Sequence, residues 1–136
     1  MASPLPDMTK HSIHTDQAPQ AIGPYSQAIA GRGLLFVSGQ IPLDPETGKL
    51  VGDSIEAQTR RVMDNLDAIL RAAGTDFSRL VKTTIYLTDL AHFPQVNQTY
   101  GSYLPEPFPA RATVQVAALP LGAAVEIDAV ALLPTS

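Results

Sequence analysis

The chain has 136 residues, 45% of them apolar and 16% charged, with no cysteine and a net charge of −4. This length suits one domain, and the low charged fraction indicates that part of the surface is buried against other subunits. The acidic balance disfavours binding to nucleic acid, and the lack of cysteine excludes disulfides, a thiol nucleophile and a cysteine-bound zinc ion. We treat 1–136 as one domain in which 1–10 is a flexible tail without the apolar core of a signal peptide. We therefore expect a cytoplasmic protein without a membrane span.

The first predicted elements form a β-hairpin. Residues 25–30 and 34–38 read as strands joined by Gly31-Arg32-Gly33, where glycine supplies the positive φ of a tight turn. A short strand at 12–14 precedes them. The segment 40–52 is rich in turn residues and is predicted to be a loop.

A helix and a strand follow this loop. Asp53 can cap the helix, with Glu56 three residues on, and an apolar stripe of helical period then runs to Gly74. Residues 81–87 alternate with period two and are rich in β-branched side chains, which is typical of a strand.

The last third of the chain predicts one more helix and two more strands. Apolar residues recur at helical spacing from Phe93 to Leu104, and the runs 109–116 and 125–130 read as strands. This order of elements favours an α+β domain, a sheet with both helices on one face.

Each of the two C-terminal runs carries a charged residue in a pattern otherwise typical of a core strand. Because side chains alternate along a strand, Arg111 shares a face with Thr113, and Glu126 shares a face with Asp128. The connection between the runs is short, so we expect them to pair and to bring Arg111 and Glu126 into one concave site. A structural salt bridge between the two is the more common arrangement, and spacing does not separate these readings.

Arg111 and Glu126 are candidates for binding and converting a small carboxylate. Arginine offers a planar fork of donors that binds a carboxylate through two hydrogen bonds. A partly desolvated Glu126 can deprotonate a water or protonate a leaving nitrogen. Tyr25, after Gly23-Pro24, either offers its phenol to a cleft or packs as an aromatic residue.

Three further residues have a binding and a structural interpretation. Ser38-Gly39 ends the second strand of the hairpin, where glycine lets a ligand approach the backbone or simply makes a turn. Asn97 shares a helix face with Phe93 and Tyr100, so it is either a buried hydrogen-bonding residue or a pocket contact.

Nucleotide and metal motifs are not supported. Gly31-Arg32-Gly33 has Phe36 in place of the third glycine of a dinucleotide loop, and Gly48-Lys49 lacks the rest of a P-loop. His11 and His14 would lie on opposite faces of a strand, which disfavours a metal site.

Six motifs follow one another between about Ser12 and Leu132. They are Ile22-Gly23-Pro24-Tyr25-Ser26-Gln27-Ala28, Val37-Ser38-Gly39-Gln40-Ile41-Pro42, Val81-Lys82-Thr83-Thr84-Ile85-Tyr86-Leu87, Val96-Asn97-Gln98-Thr99-Tyr100, Pro109-Ala110-Arg111 and Val125-Glu126-Ile127. In this order they resemble the Rid family of reactive intermediate deaminases, also called YjgF or L-PSP, and most closely its RidA subfamily.

The resemblance implies the chorismate mutase-like (YjgF-like) fold, assembled as a homotrimer with sites in the clefts between subunits. It implies hydrolysis of 2-imino acids, such as 2-iminopropanoate and 2-iminobutanoate, to 2-keto acids and ammonia without a cofactor or metal. By resemblance, the catalytic residues are Glu126, which orients the attacking water, Arg111, which binds the carboxylate, and Tyr25. The other implied pocket residues are Ser38, Gly39, Asn97 and Thr113.

One departure and two alternatives accompany this interpretation. Several members of the family have cysteine where this chain has Thr113, which puts thiol-dependent activities in doubt but not imine hydrolysis. The same pocket in a non-catalytic module would bind small carboxylates for regulation. An endoribonuclease or translation-inhibitor activity, attributed to some relatives, would require a basic surface that the composition does not indicate.

Overall fold

Six strands and two helices make up the computed structural model, which describes residues 9–134. The strands are β1 (His11–Ile13), β2 (Ala28–Gly31), β3 (Leu34–Gln40), β4 (Leu80–Leu87), β5 (Ala110–Gln115) and β6 (Val125–Leu132). The helices are α1 (Ile55–Ala72) and α2 (Phe93–Ser102). Most of the predicted tail 1–10 lies outside the described residues. No helix in the described part of the chain is long and apolar enough to cross a membrane.

The strands form a single mixed sheet in the order β1-β2-β3-β6-β4-β5. Every neighbouring pair is antiparallel except β4 and β5, which are parallel. Parallel neighbours require a crossover connection, and α2 lies in the one between β4 and β5. The predicted α+β sheet is confirmed.

The predicted pairing of the two C-terminal strands is wrong, because β4 lies between β5 and β6. The physical reason is the difference in burial between the two strands. Val125, Ile127, Ala129 and Ala131 of β6 are at most 3% exposed, which suits a central strand with partners on both sides. The residues of β5 are mostly exposed, which suits the edge of the sheet.

Both helices pack on one face of the sheet and form the core with it. The fully buried side chains there come from α1, α2 and alternate positions of the central strands; they include Val62, Leu66, Ile69, Val96, Ile85, Leu87, Val125 and Ile127. The apolar residues of each helix and each central strand recur with the period of that element, so they all lie in the layer between the helices and the sheet.

Local signals explain most element boundaries. The strand predicted to begin at residue 25 begins at Ala28, which leaves Tyr25 in the preceding turn-rich segment, and two further differences concern the cap of α1 and the hairpin turn. Ser54, rather than Asp53, caps α1, and its Oγ accepts a hydrogen bond from the Ala57 backbone N–H at 3.0 Å. The hairpin turn uses positive φ at Arg32 (54°) and Gly33 (79°), while Gly31 stays in β2.

No element of the described chain covers the other face of the sheet. Three large apolar side chains lie exposed on it: Phe36 (49%), Val114 (41%) and Leu132 (48%). Large apolar side chains exposed on a sheet face are typical of an interface with another protein surface. This agrees with the low charge content of the sequence.

A buried amide fixes the loop between β3 and α1 to the first helix. Asn65 has no exposed surface, and its Nδ2 donates to the backbone carbonyls of Ile41 at 3.2 Å and Leu43 at 3.0 Å. Its Oδ1 accepts from Nε of Arg61 at 3.1 Å. The side chain thus gives the Leu43 carbonyl a donor and the Ile41 carbonyl a second donor beside the Leu43 backbone N–H, which lies at 2.8 Å.

We expect Asn65→Ala to lower the free energy of unfolding by about 1–3 kcal/mol, because the Leu43 carbonyl loses its side-chain donor and the Ile41 carbonyl loses one of two donors. Urea denaturation at a fixed protein concentration measures the change. Gln98→Ala, at an exposed position of α2, is the control and should change stability by no more than about 0.5 kcal/mol. Equal stability of the two variants would contradict the proposed role of Asn65.

Candidate active site

Arg111 is held by groups of α2 rather than by a carboxylate. Its Nη1 donates to Oδ1 of Asn97 at 2.6 Å. Its Cζ lies 5.3 Å from the ring centroids of both Phe93 and Tyr100, a distance that suits cation–π contacts. None of the salt bridges within residues 9–134 includes Arg111. The guanidinium is therefore oriented while its charge stays unpaired.

A groove opens beside this guanidinium. It encloses about 420 Å³ and is lined by Asn97, Tyr100, Gly101, Phe108, Pro109 and Arg111. Thr113 shares the strand face of Arg111, and its buried hydroxyl has no hydrogen-bond partner among the described residues. We call Asn97, Arg111 and Thr113 the clamp cluster, because its donors suit a small anion.

Glu126 lies on β6 in a poorly solvated position. Burial, and then the neighbouring charge of Asp128, raise the pKa of Glu126 above its usual range. Its side chain lines a small pocket of about 120 Å³ together with Tyr25, Gly39 and Pro120. A carboxyl group with a raised pKa can exchange protons closer to neutral pH than an ordinary glutamate.

Ser38 and Gly39 occupy a bulge in β3 where its register with β6 shifts. An ideal Cβ built on Gly39 would lie 2.9 Å from Cδ of Glu126, so only glycine leaves room for this carboxylate. The hydroxyl of Ser38 donates to the carbonyl of Ser26 at 2.6 Å, which ties the bulge to the segment after Tyr25. Tyr25 is 54% exposed and faces the same side.

We call Tyr25, Ser38, Gly39 and Glu126 the carboxylate cluster. Its position is anchored by Gln27, which is 2% exposed. The Gln27 side chain accepts from the Thr15 backbone N–H at 2.8 Å and donates to the Pro19 carbonyl at 2.8 Å. These bonds fix the segment before the Gly-Pro-Tyr turn.

The two clusters lie on opposite faces of the sheet. Arg111 is in register with Thr83, whose side chain is buried under the helices, whereas Glu126 is in register with Tyr86 on the uncovered face. The expectation that Arg111 and Glu126 meet in one site of a single chain, or form a salt bridge there, is therefore wrong. Its cause is the same strand order that separates β5 from β6.

Sequence analysis missed the aromatic support of Arg111. Phe93, Asn97 and Tyr100 share one helix face, and this spacing was visible in the sequence. Nothing in the spacing indicated that this face would lie against Arg111, since that contact depends on the crossover through α2. The hydrogen bond between Tyr86 and Asp128, described below, was also missed.

Comparison with known proteins identifies the family. A family model described as Endoribonuclease L-PSP matches residues 15–133. Reactive Intermediate Deaminase A, chloroplastic, from Arabidopsis thaliana is 54% identical over 124 residues, covering 91% of this chain and 66% of that protein. The 2-iminobutanoate/2-iminopropanoate deaminase of Homo sapiens is 44% identical over 128 residues, covering 94% of this chain and 93% of that protein.

A solved structure extends the comparison to the fold. E. coli TdcF with bound serine matches with a TM-score of 0.86 and 37% identity, covering 91% of this chain and 99% of that one. The chain belongs to the L-PSP family, which is the Rid family that its motifs resemble. The predicted family and fold are confirmed.

We expect Gly39→Ala to displace the Glu126 carboxylate, because the added Cβ would overlap Cδ of Glu126. A crystal structure of the variant checks the position of this side chain. Gly52→Ala is the control, since a Cβ there meets no atom within 4 Å and the backbone needs no positive φ. An unmoved Glu126 carboxylate in Gly39→Ala would contradict this account of the bulge.

Proposed function

We propose that this protein hydrolyses 2-imino acids, among them 2-iminopropanoate and 2-iminobutanoate, to 2-keto acids and ammonia. The observation that carries the proposal is Arg111, a guanidinium oriented by Asn97 and two aromatic rings yet paired with no carboxylate of the described residues. Two relatives named as deaminases of this kind, at 44% and 54% identity, support the same conclusion.

The clamp cluster binds the substrate carboxylate in this proposal. Two parallel N–H donors of Arg111 match two carboxylate oxygens, and Asn97 holds the guanidinium plane in place. Thr113 lies on the same strand face as Arg111, and its buried hydroxyl, with no partner among residues 9–134, is the remaining polar group of this cluster. The serine bound to E. coli TdcF is itself a small carboxylate, which is consistent with this substrate class.

The carboxylate cluster carries the chemistry. Glu126 takes a proton from a water as the water oxygen forms a bond to the imine carbon. Because the imine nitrogen is protonated beforehand, this addition gives a neutral carbinolamine. Glu126 returns its proton to the amine nitrogen, and as the carbon–nitrogen bond breaks the added hydroxyl forms its second bond to carbon and gives its proton to Glu126, so that ammonia leaves and a 2-keto acid remains. Water is the only co-reactant, and no atom changes oxidation state overall, so the balanced reaction requires no redox cofactor. Tyr25 offers a phenol that can hydrogen-bond the imine nitrogen.

The complete site is formed between copies of the chain. A 2-imino acid spans only a few ångströms from its carboxylate to its imine carbon, whereas the two clusters lie on opposite faces of one sheet. We infer a homotrimer in which the clamp cluster of one copy meets the carboxylate cluster of the next. The apolar side chains on the uncovered face support this assembly.

We expect Arg111→Ala to lower kcat/KM for imine hydrolysis about 100-fold or more, because charge-assisted hydrogen bonds to the carboxylate are lost. The imines are generated in situ by an amino-acid oxidase, and their loss is measured in competition with trapping by semicarbazide. Arg111→Lys keeps the charge but not the planar fork, so it should recover only part of the activity.

Two results would overturn this assignment. One is full activity in a correctly assembled Arg111→Ala protein. The other is wild-type protein that binds a 2-keto acid without accelerating imine loss, which would identify a regulatory binding module instead. Steeply salt-dependent RNA binding would point to the nucleic-acid alternative.

Mixing two inactive variants tests the shared site. Random trimers of Arg111→Ala and Glu126→Gln should recover about a quarter of wild-type activity, because some interfaces then combine an intact Arg111 with an intact Glu126. The variants are mixed in equal amounts, unfolded and refolded together, and compared with each variant refolded alone. No recovery in mixed trimers would contradict a site shared between copies.

A further inference from the structure

We propose that Asp128, fixed by the hydroxyl of Tyr86, is a positioning residue that sets the protonation of Glu126 during catalysis. This inference rests on the deaminase function proposed above. It assigns a role to two side chains on the uncovered face of the sheet that neither cluster includes.

The register of β4 and β6 places these groups together. Tyr86 lies opposite Glu126, and Thr84 lies opposite Asp128. The hydroxyl of Tyr86 reaches diagonally across this pair of strands and donates to Oδ2 of Asp128 at 3.1 Å. Because Glu126 and Asp128 are two residues apart on one strand, their carboxyl groups share a face.

The phenol of Tyr86 holds the Asp128 carboxylate beside Glu126. Burial, and then the charge of Asp128, raise the pKa of Tyr86, so its hydroxyl keeps its proton and remains a donor. Asp128 accepts this hydrogen bond, whereas no hydrogen bond to Glu126 is formed by any described residue. The negative charge of Asp128, held on the same face, opposes ionisation of Glu126, so its removal should lower the pKa of Glu126.

Few other titratable groups face Glu126. The residues of β3 beside Glu126 are neutral. The segment before β2 contributes the phenol of Tyr25. On β4, Lys82 lies on the same face but farther along the strand. In the proposed trimer, Arg111 of a neighbouring copy adds a positive charge. Replacing Asp128 removes one negative charge near Glu126 and leaves the other nearby groups unchanged. The pKa of Glu126 should therefore fall.

Carbon-13 NMR of the carboxyl groups gives a direct test. The chain has four glutamates, at positions 46, 56, 106 and 126, so selective labelling gives four carboxyl signals and Glu126→Gln identifies the relevant one. We expect the titration midpoint of Glu126 to move to lower pH in Asp128→Asn. Asp53→Asn, an exposed position with the same change of charge, should leave it unchanged.

Tyr86→Phe separates the hydrogen bond from the charge. Without the phenol, the Asp128 carboxylate is no longer held in place on this face and its charge acts less strongly on Glu126, so the Glu126 midpoint should again move to lower pH, by less than in Asp128→Asn. This variant also keeps the test valid if Asp128→Asn does not assemble. The limb of the pH–rate profile that reports Glu126 should move in the same direction in both variants.

The outcomes separate this inference from the proposed function. A Glu126 midpoint that stays in place or rises in both variants would overturn the role of Asp128 and Tyr86, even in an active enzyme. Inactive wild-type protein would overturn the proposed function, and with it the catalytic meaning of the pair, whatever the NMR midpoint. A shifted midpoint together with a shifted pH–rate limb would support both.

Discussion

The position of β4 between β5 and β6 determines where each functional group of this chain lies. Because β4 separates β5 from β6 and side chains alternate along each strand, Arg111 lies on the face under the helices and Glu126 lies on the opposite face. The helices cover only the first of these faces. In the function we propose, Arg111 at the edge binds the substrate carboxylate and Glu126 on the uncovered face exchanges protons, so the two act on one small molecule only when a second copy is present.

Separation of the two charges also protects their reactivity. If Arg111 and Glu126 paired within one chain, the substrate carboxylate would have to compete with Glu126 for the guanidinium. Aromatic rings and an amide orient Arg111 instead, and neither removes its charge. On the other face, burial and a neighbouring carboxylate keep Glu126 able to hold a proton. Each group is thus prepared before the ligand arrives.

The elements with strong periodicity were predictable, and their contacts were not. The stripe of α1, the alternation of β4 and the hairpin turn each follow from local chemistry. Ser54 and Asp53 are both competent caps, so their order along the chain did not decide between them. A short connection favoured pairing of β5 with β6, but β6 lies at the centre of the sheet between β3 and β4, with one face fully buried under the helices. The sequence places Asn97 on the correct face of α2. It does not identify Arg111 as its partner, because their contact depends on how the connection through α2 positions β5.

The crossover through α2 also limits how this protein can vary in length. Asn97 and its two aromatic neighbours reach Arg111 from a single helix face, and one inserted residue rotates the rest of a helix by about 100°. An insertion inside α2 would carry part of that face away from the edge strand. The segment 103–109, between the helix and β5, has no such angular constraint. We therefore expect insertions and deletions among relatives to occur in the segment 103–109, whereas the length of α2 stays constant.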